Sequence, residues 1–130
     1  MNYFKTVPFL ALVLFIVGCS EPIPAGTISP KDFKRALSKI DDLQLIDVRT
    51  PAEFNGGHIQ DAVNLNYFED NFRTEIEKLD KSRPVAVYCA VGGRSGSAMN
   101  LLKELGFEQI YDLDGGITSW EEQKFETVND

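Results

Sequence analysis

The sequence predicts an α/β fold, an open parallel β-sheet with helices on both faces. Two observations lead to this prediction. Segments with the composition of β-strands alternate along the chain with segments of helical periodicity, which is the order found in parallel sheets with crossover helices. The strand candidates are also nearly continuous apolar runs, which is typical of strands buried on both faces. The chain has 130 residues, which allows one domain of this kind.

The first two predicted helices begin with capping signals. Ser29 is a favourable N-cap residue, and Pro30 suits the first helical position. Thr50 and Pro51 begin a second helix in the same way. A pair of glycines at 56–57 then stops that second helix.

Four strands and three further helices follow from composition and spacing. The strand candidates are rich in Val, Ile and Leu, and they are LQLIDV (43–48), AVNL (62–65), PVAVYC (84–89) and QIYDL (109–113). Apolar residues at helical spacing predict a third helix that includes Phe68, Phe72, Ile76 and Leu79. The last two predicted helices are SGSAMNLLKEL (95–105) and GITSWEEQKF (116–125).

The first 18 residues are predicted to be a signal peptide. The apolar run VPFLALVLFIVG (7–18) is shorter than the ~20 apolar residues of a membrane-spanning helix, but it has the proportions of the apolar core of a secretory signal. The sequence IVGC (16–19) resembles the lipobox of bacterial lipoproteins. This resemblance implies a lipoprotein signal peptide at 1–18, a lipidated Cys19 with a short linker over 19–26, and one domain over 27–130.

The lipobox resemblance also implies a location. We expect a protein of the bacterial cell envelope that faces the periplasm and contacts the membrane through its lipid anchor. In the bacterial sorting rule an aspartate after the lipidated cysteine favours the inner membrane, so Ser20 implies the outer membrane. The alternative is an ordinary cleaved signal peptide in which Cys19 is incidental.

Charge and cysteine count narrow the class of function. The formal net charge is −7, and loss of residues 1–18 makes it one unit more negative because Lys5 is the only charged residue there. Such a surface repels nucleic acid, so we expect no nucleic-acid partner. Lipid on Cys19 would leave Cys89 as the only free thiol of the two cysteines. Cys89 is then a buried inert residue, an intermolecular bridge or a reactive thiol.

Cys89 follows a predicted central strand and precedes a predicted helix, in the stretch YCAVGGRSGS (88–97). In open parallel sheets, ligands bind at the edge where the strands end. A helix N-terminus there stabilises a thiolate, the reactive form of cysteine. Gly92 and Gly93 allow left-handed conformations that point amides inward as an anion-binding nest, and Arg94 adds a positive charge. These features together indicate a thiolate that faces an anionic substrate.

Three segments resemble the rhodanese family in order and spacing: LIDVRTPAEFNGGHIQDAVNL (45–65), YCAVGGRS (88–95) and LDGGITSW (113–120). The resemblance implies a sulfurtransferase in which Cys89 is the catalytic nucleophile and carries sulfur as a persulfide. It implies a small sulfur-containing anion such as thiosulfate as donor and a thiol or protein cysteine as acceptor. The implied persulfide-binding loop consists of Ala90, Val91, Gly92, Gly93, Arg94 and Ser95. Many family loops have arginine directly after the cysteine, where this chain has Ala90.

Three other residues are candidates for the pocket or for support of the loop. Asp47 lies at a strand end, and Arg49 is predicted to brace the loop through an ion pair with Glu53. His58 is the only histidine, and we interpret it as a structural hydrogen-bonding residue rather than a general base. One histidine and one free cysteine cannot form a zinc site, so we expect neither a metal nor a cofactor.

Two other functions compete with sulfurtransferase activity. A non-enzymatic persulfide carrier or protein-interaction module would have the same loop. Cys-dependent phosphatases and arsenate reductases of similar fold place five residues between cysteine and arginine, whereas four separate Cys89 from Arg94. The shorter loop favours binding of a sulfur atom over binding of a phosphoryl group.

Overall fold

The computed structural model describes residue 18 and residues 21–129. In this part of the chain the strands are β1 (Gly26–Ile28), β2 (Gln44–Asp47), β3 (Val63–Asn64), β4 (Val85–Tyr88) and β5 (Ile110–Leu113). The helices are α1 (Pro30–Lys39), α2 (Pro51–Asn55), α3 (Phe72–Glu77), α4 (Gly93–Glu104) and α5 (Gly116–Glu122). The strands form one sheet in the order β1-β5-β4-β2-β3, and all neighbouring strands are parallel. The predicted α/β fold is confirmed.

Helices cover both faces of the sheet, as predicted. One core cluster includes Phe33 of α1 and Trp120 of α5, and the other includes Ile76 of α3 and Leu102 of α4. Strand β4 lies between these clusters, and all four of its residues are buried. Its side chains alternate between the two clusters, and Cys89, which follows the strand, belongs to the cluster with α3 and α4.

The capping signals predicted for the first two helices are also confirmed. The Ser29 hydroxyl accepts a hydrogen bond from the Asp32 backbone N–H at 3.1 Å, and Pro30 is the first residue of α1. Thr50 and Glu53 form a capping box at the start of α2.

The sequence prediction missed one strand and misplaced one helix. Residues 19–26 were predicted to be a linker, but Gly26 begins β1 and pairs with Tyr111 of β5. The strand has only three residues, which is too short to show a pattern. The third helix begins at Phe72, and Phe68 lies in the preceding turn, where its backbone N–H donates to the Asn66 side chain at 3.1 Å. The Phe68 side chain is consequently exposed.

The predicted signal peptide and the lipidation site at Cys19 lie outside the described residues. Within the described ranges, none of the helices combines the length and apolar character needed to cross a membrane.

Candidate active site

Cys89 is buried directly after β4, at the edge of the sheet where the parallel strands end. Its Sγ accepts a hydrogen bond from the Gly92 backbone N–H at 3.1 Å. The first turn of α5 contacts the same loop. The Ile117 N–H donates to the Cys89 carbonyl at 2.9 Å, and the Thr118 N–H donates to the Ala90 carbonyl at 3.1 Å. The loop is therefore held between the N-termini of α4 and α5.

One glycine makes the turn that brings an amide to the sulfur. Gly92 has a φ of 110°, which side chains disfavour, and it is the N-cap of α4. The prediction that Gly93 is also left-handed is wrong. Gly93 is the first residue of α4 and takes a helical conformation, because a single left-handed residue is enough to turn the chain into the helix.

Hydrogen bonds favour the thiolate form of Cys89. Burial alone would raise the pKa of the thiol. The Ser95 hydroxyl and the backbone N–H groups of Ser95, Gly92 and Val91 act in the opposite direction and outweigh burial, so the pKa of Cys89 lies below that of an ordinary thiol. These groups give the loop the chemistry expected of a nucleophile.

A buried carboxyl group belongs to Asp112, which lies in β5 and pairs in register with Val87 of β4. Its Oδ2 accepts a hydrogen bond from the Thr27 hydroxyl at 3.0 Å, whereas its Oδ1 is buried with no hydrogen-bond partner in the described residues. Burial raises the pKa of Asp112, although interactions with Ser95 and Thr27 lower it in part. The Ser95 hydroxyl itself donates to the Gly92 carbonyl at 3.3 Å, within the cysteine loop.

Arg94 forms a bidentate ion pair with Glu53. Its Nη1 and Nη2 donate to the two carboxylate oxygens at 2.8 and 2.9 Å. The hydrogen bond from Arg94 lowers the pKa of Glu53 to about 2, burial opposes this change, and hydrogen bonds from Thr50 add to it. The predicted Arg49–Glu53 pair is therefore wrong. Glu53 sits in the first turn of α2 and faces the first turn of α4, so its partner comes from the cysteine loop.

Arg49 pairs instead with Asp47. The Arg49 Nη2 lies 2.7 Å from the Asp47 carboxylate, and it also donates to the Gly57 carbonyl at 2.7 Å. Asp47 is fully buried, so it does not line an open pocket. This pair lies at the turn between β2 and α2, the helix that carries Glu53.

His58 also holds the fold together. Its Nδ1 lies 3.0 Å from the Phe54 carbonyl oxygen, and its ring stacks on the Phe54 ring with centroids 3.7 Å apart. Its backbone exchanges two hydrogen bonds with Val128, at 2.9 and 2.8 Å. These contacts fit the structural role that we predicted from the sequence.

Comparison with known proteins places this geometry in a family. Residues 29–123 match the family model described as Rhodanese-like domain. The chain belongs to the rhodanese-like domain family. It is 38% identical over 86 residues to thiosulfate sulfurtransferase GlpE of Shewanella oneidensis, which covers 66% of this chain and 83% of that protein. It is 39% identical over 121 residues to the uncharacterized protein YqhL of Bacillus subtilis, with 92% of each chain covered.

The fold comparison agrees with the family assignment. The crystal structure of a rhodanese-related protein from Thermoplasma volcanium superimposes with a TM-score of 0.71 at 31% sequence identity. The match covers 80% of this chain and 98% of that one. The single domain described above is thus a rhodanese-like domain in sequence and in fold.

Sequence reasoning missed one residue that shapes the site of this rhodanese-like domain. Gly116 has a φ of 62°, and a Cβ there would lie 2.5 Å from the backbone atoms of Cys89 and Ala90. Only glycine permits this approach of α5 to the cysteine loop. The GG pair of LDGGITSW was the available signal, but its contact with the loop depends on the fold.

Replacement of Ser95 by alanine should shift the titration of Cys89 to higher pH. The variant loses the hydroxyl that favours the thiolate, so the rate of alkylation by iodoacetamide should rise with pH later than in the wild type. Ser97→Ala, which changes an exposed serine of the same helix, is the matched control and should leave the profile in place. Coincident profiles for all three proteins would show that Ser95 does not stabilise the thiolate.

Proposed function

We propose that the protein is a sulfurtransferase that moves a sulfane sulfur from a donor to a thiophilic acceptor through a persulfide on Cys89. The observation that carries the proposal is the Cys89 sulfur at the N-terminus of α4, where it accepts the Gly92 N–H at 3.1 Å. The similarity to thiosulfate sulfurtransferase GlpE supports the same reaction class.

The reaction takes two steps. The Cys89 thiolate attacks the sulfane sulfur of a donor such as thiosulfate, a new S–S bond forms, and sulfite leaves with the electron pair of the old one. The acceptor, cyanide in an assay or a thiol or protein cysteine in the cell, then attacks the outer sulfur and restores the thiolate. The amides that favour the thiolate are placed to stabilise the persulfide anion as well.

Steady-state kinetics test this scheme. With thiosulfate and cyanide varied together, a ping-pong cycle gives parallel lines in double-reciprocal plots of thiocyanate formation. Intersecting lines would contradict a persulfide form of the enzyme that releases sulfite before the acceptor binds.

A persulfide carrier that serves one protein partner is the second candidate. Val91 in the loop is 70% exposed, and Phe68 nearby is 66% exposed, so the rim offers apolar contacts to a partner. Stoichiometric sulfur loading without turnover of small acceptors would favour the carrier, whereas multiple turnovers would favour the enzyme.

We also propose that Cys19 is lipidated and that the domain is anchored in the cell envelope facing the periplasm, at the outer membrane. The IVGC sequence supports the modification, and Ser20 supports the outer membrane. Six residues separate Cys19 from Gly26, the first residue of β1, and they extend at most ~20 Å. The domain would therefore stay close to the membrane.

Replacement of Cys19 by alanine should prevent lipid attachment and leave an uncleaved precursor. The wild type should incorporate labelled palmitate and fractionate with the outer membrane, and the variant should not incorporate the label. Cys89→Ala, which removes the other cysteine, is the control and should still be labelled. A soluble, unlabelled wild-type protein would contradict the lipobox interpretation.

A further inference from the structure

The positive charge beside Cys89 is paired with a carboxylate of the same chain. Arg94 is the only charged residue in the segment 89–97, and both of its terminal nitrogens donate to Glu53. Its side chain is 20% exposed, and the Phe68 ring lies 5.4 Å from the guanidinium carbon. The loop therefore presents an ion pair, and not a free cation, beside the thiol.

Two neighbours of Glu53, Arg94 and Thr50, favour its ionised carboxylate. Thr50 holds the Glu53 carboxylate with its backbone N–H at 3.0 Å and its hydroxyl at 2.9 Å. The hydrogen bond from Arg94 lowers the pKa of Glu53 to about 2, so Glu53 stays ionised around neutral pH. Arg49 supplies no replacement charge, because it is buried and paired with Asp47.

Apolar groups form the rim of the loop. Val91 and Phe68 are two of the three exposed large hydrophobic residues in the described ranges. Phe68 is tied to the site because its ring packs on the guanidinium of Arg94. Ala90, directly after the cysteine, adds another uncharged side chain. A donor that approaches Cys89 thus meets apolar surface and backbone amides.

We infer that the preferred sulfur donor is an organic persulfide with an uncharged substituent, and not thiosulfate. This inference rests on the sulfurtransferase function proposed above. The Cys89 thiolate attacks the outer sulfur of the donor R–S–SH, and the transferred sulfur forms the persulfide Cys89–S–SH. The thiolate R–S⁻ leaves with the electron pair of the old S–S bond and takes a proton from water. The sulfur–sulfur bond is exchanged, so the step needs no oxidant or reductant.

Thiosulfate and an organic persulfide differ in the charge that they bring to the site. Thiosulfate carries two negative charges toward a thiolate, a neutral ion pair and a chain with a formal net charge of −7. A persulfide carries at most one negative charge at its reacting end, and its apolar substituent can pack against Val91 and Phe68. We therefore expect the site to bind an organic persulfide more favourably than thiosulfate.

Thiocyanate formation by the full-length protein in non-ionic detergent tests the inference. The donors are thiosulfate, N-acetylcysteine persulfide and the methyl ester of that persulfide, with Cys89→Ser as the blank for uncatalysed reaction with cyanide. We expect kcat/KM to be highest for the ester and lowest for thiosulfate, by on the order of 10-fold or more. Raising the ionic strength should increase kcat/KM for thiosulfate more than that for the ester, because salt screens the repulsion of a dianion more than that of a species with at most one negative charge.

Glu53→Gln provides a second, independent readout. The variant frees the charge of Arg94, so the ratio of kcat/KM for thiosulfate to that for the ester should rise about 10-fold. Glu122→Gln, which makes the same change at the exposed end of α5, should leave the ratio at its wild-type value. A wild type that prefers thiosulfate over the ester, or an unchanged ratio in folded Glu53→Gln, would overturn the inference while the proposed function stands. No thiocyanate above the blank with any donor would overturn the proposed function itself.

Discussion

Cys89→Ser should abolish sulfur transfer. A serine hydroxyl is not ionised near neutral pH, so it neither attacks the sulfane sulfur nor carries it as a persulfide. Thiocyanate formation should fall to the uncatalysed rate with thiosulfate and with persulfide donors. Because the side chain is buried and the substitution is nearly isosteric, circular dichroism should report an intact fold.

A relocated thiol provides the matched control for Cys89→Ser. The double variant Cys89→Ser, Ser97→Cys keeps one thiol in the domain but places it on an exposed position of α4, away from the amides of the loop. It should remain inactive, because the reactivity belongs to the loop and not to a thiol as such. Turnover by either variant would contradict the assignment of Cys89 as the nucleophile.

Gly116→Ala should destabilise the domain and disrupt the loop. The added Cβ would lie 2.5 Å from the backbone of Cys89 and Ala90, and the left-handed φ of 62° would be strained. Strain of ~1–2 kcal/mol and overpacking of ~1–3 kcal/mol together predict a loss of about 2–5 kcal/mol in the free energy of unfolding. The melting temperature should then fall by roughly 10 °C or more.

Gly96→Ala is the control for the Gly116 substitution. Gly96 lies inside α4, its added Cβ would have no atom within 4 Å beyond its chain neighbours and the adjacent helix backbone, and its φ is not positive. Alanine favours helix over glycine by about 1 kcal/mol, so this variant should be at least as stable as the wild type. Equal melting temperatures for Gly116→Ala and the wild type would contradict the close approach of α5 to the cysteine loop.

The elements that the sequence predicted well are those with local signals. The caps at Ser29 and Thr50 and the apolar run of β4 depend on neighbouring residues alone, and the structure contains all three. The position of Cys89 after β4 followed from the same local pattern. Strand β1 could not be predicted because its three residues acquire their pairing only from β5.

The ion pairs show where sequence reasoning fails. Arg49 and Glu53 have the four-residue spacing that pairs charges on a helix, but Arg49 precedes the helix cap at Thr50 and so does not lie on the helix. Its carboxylate partner is Asp47, two residues away, while Glu53 meets Arg94 from 41 residues away. The ion-pair partner of Glu53 depends on which helix ends meet at the edge of the sheet, and this is a property of the fold. That contact neutralises the charge of Arg94 in the cysteine loop.

The most direct test of persulfide formation on Cys89 is mass spectrometry of residues 20–130, in which Cys89 is the only cysteine. The protein is incubated with thiosulfate or with N-acetylcysteine persulfide methyl ester, and excess donor is removed. Its intact mass is then measured before peptide mapping. We expect a gain of one sulfur atom per chain, located on the peptide that contains Cys89 and removed by cyanide or dithiothreitol. An unchanged mass with both donors, or sulfur located on another peptide, would contradict persulfide formation on Cys89.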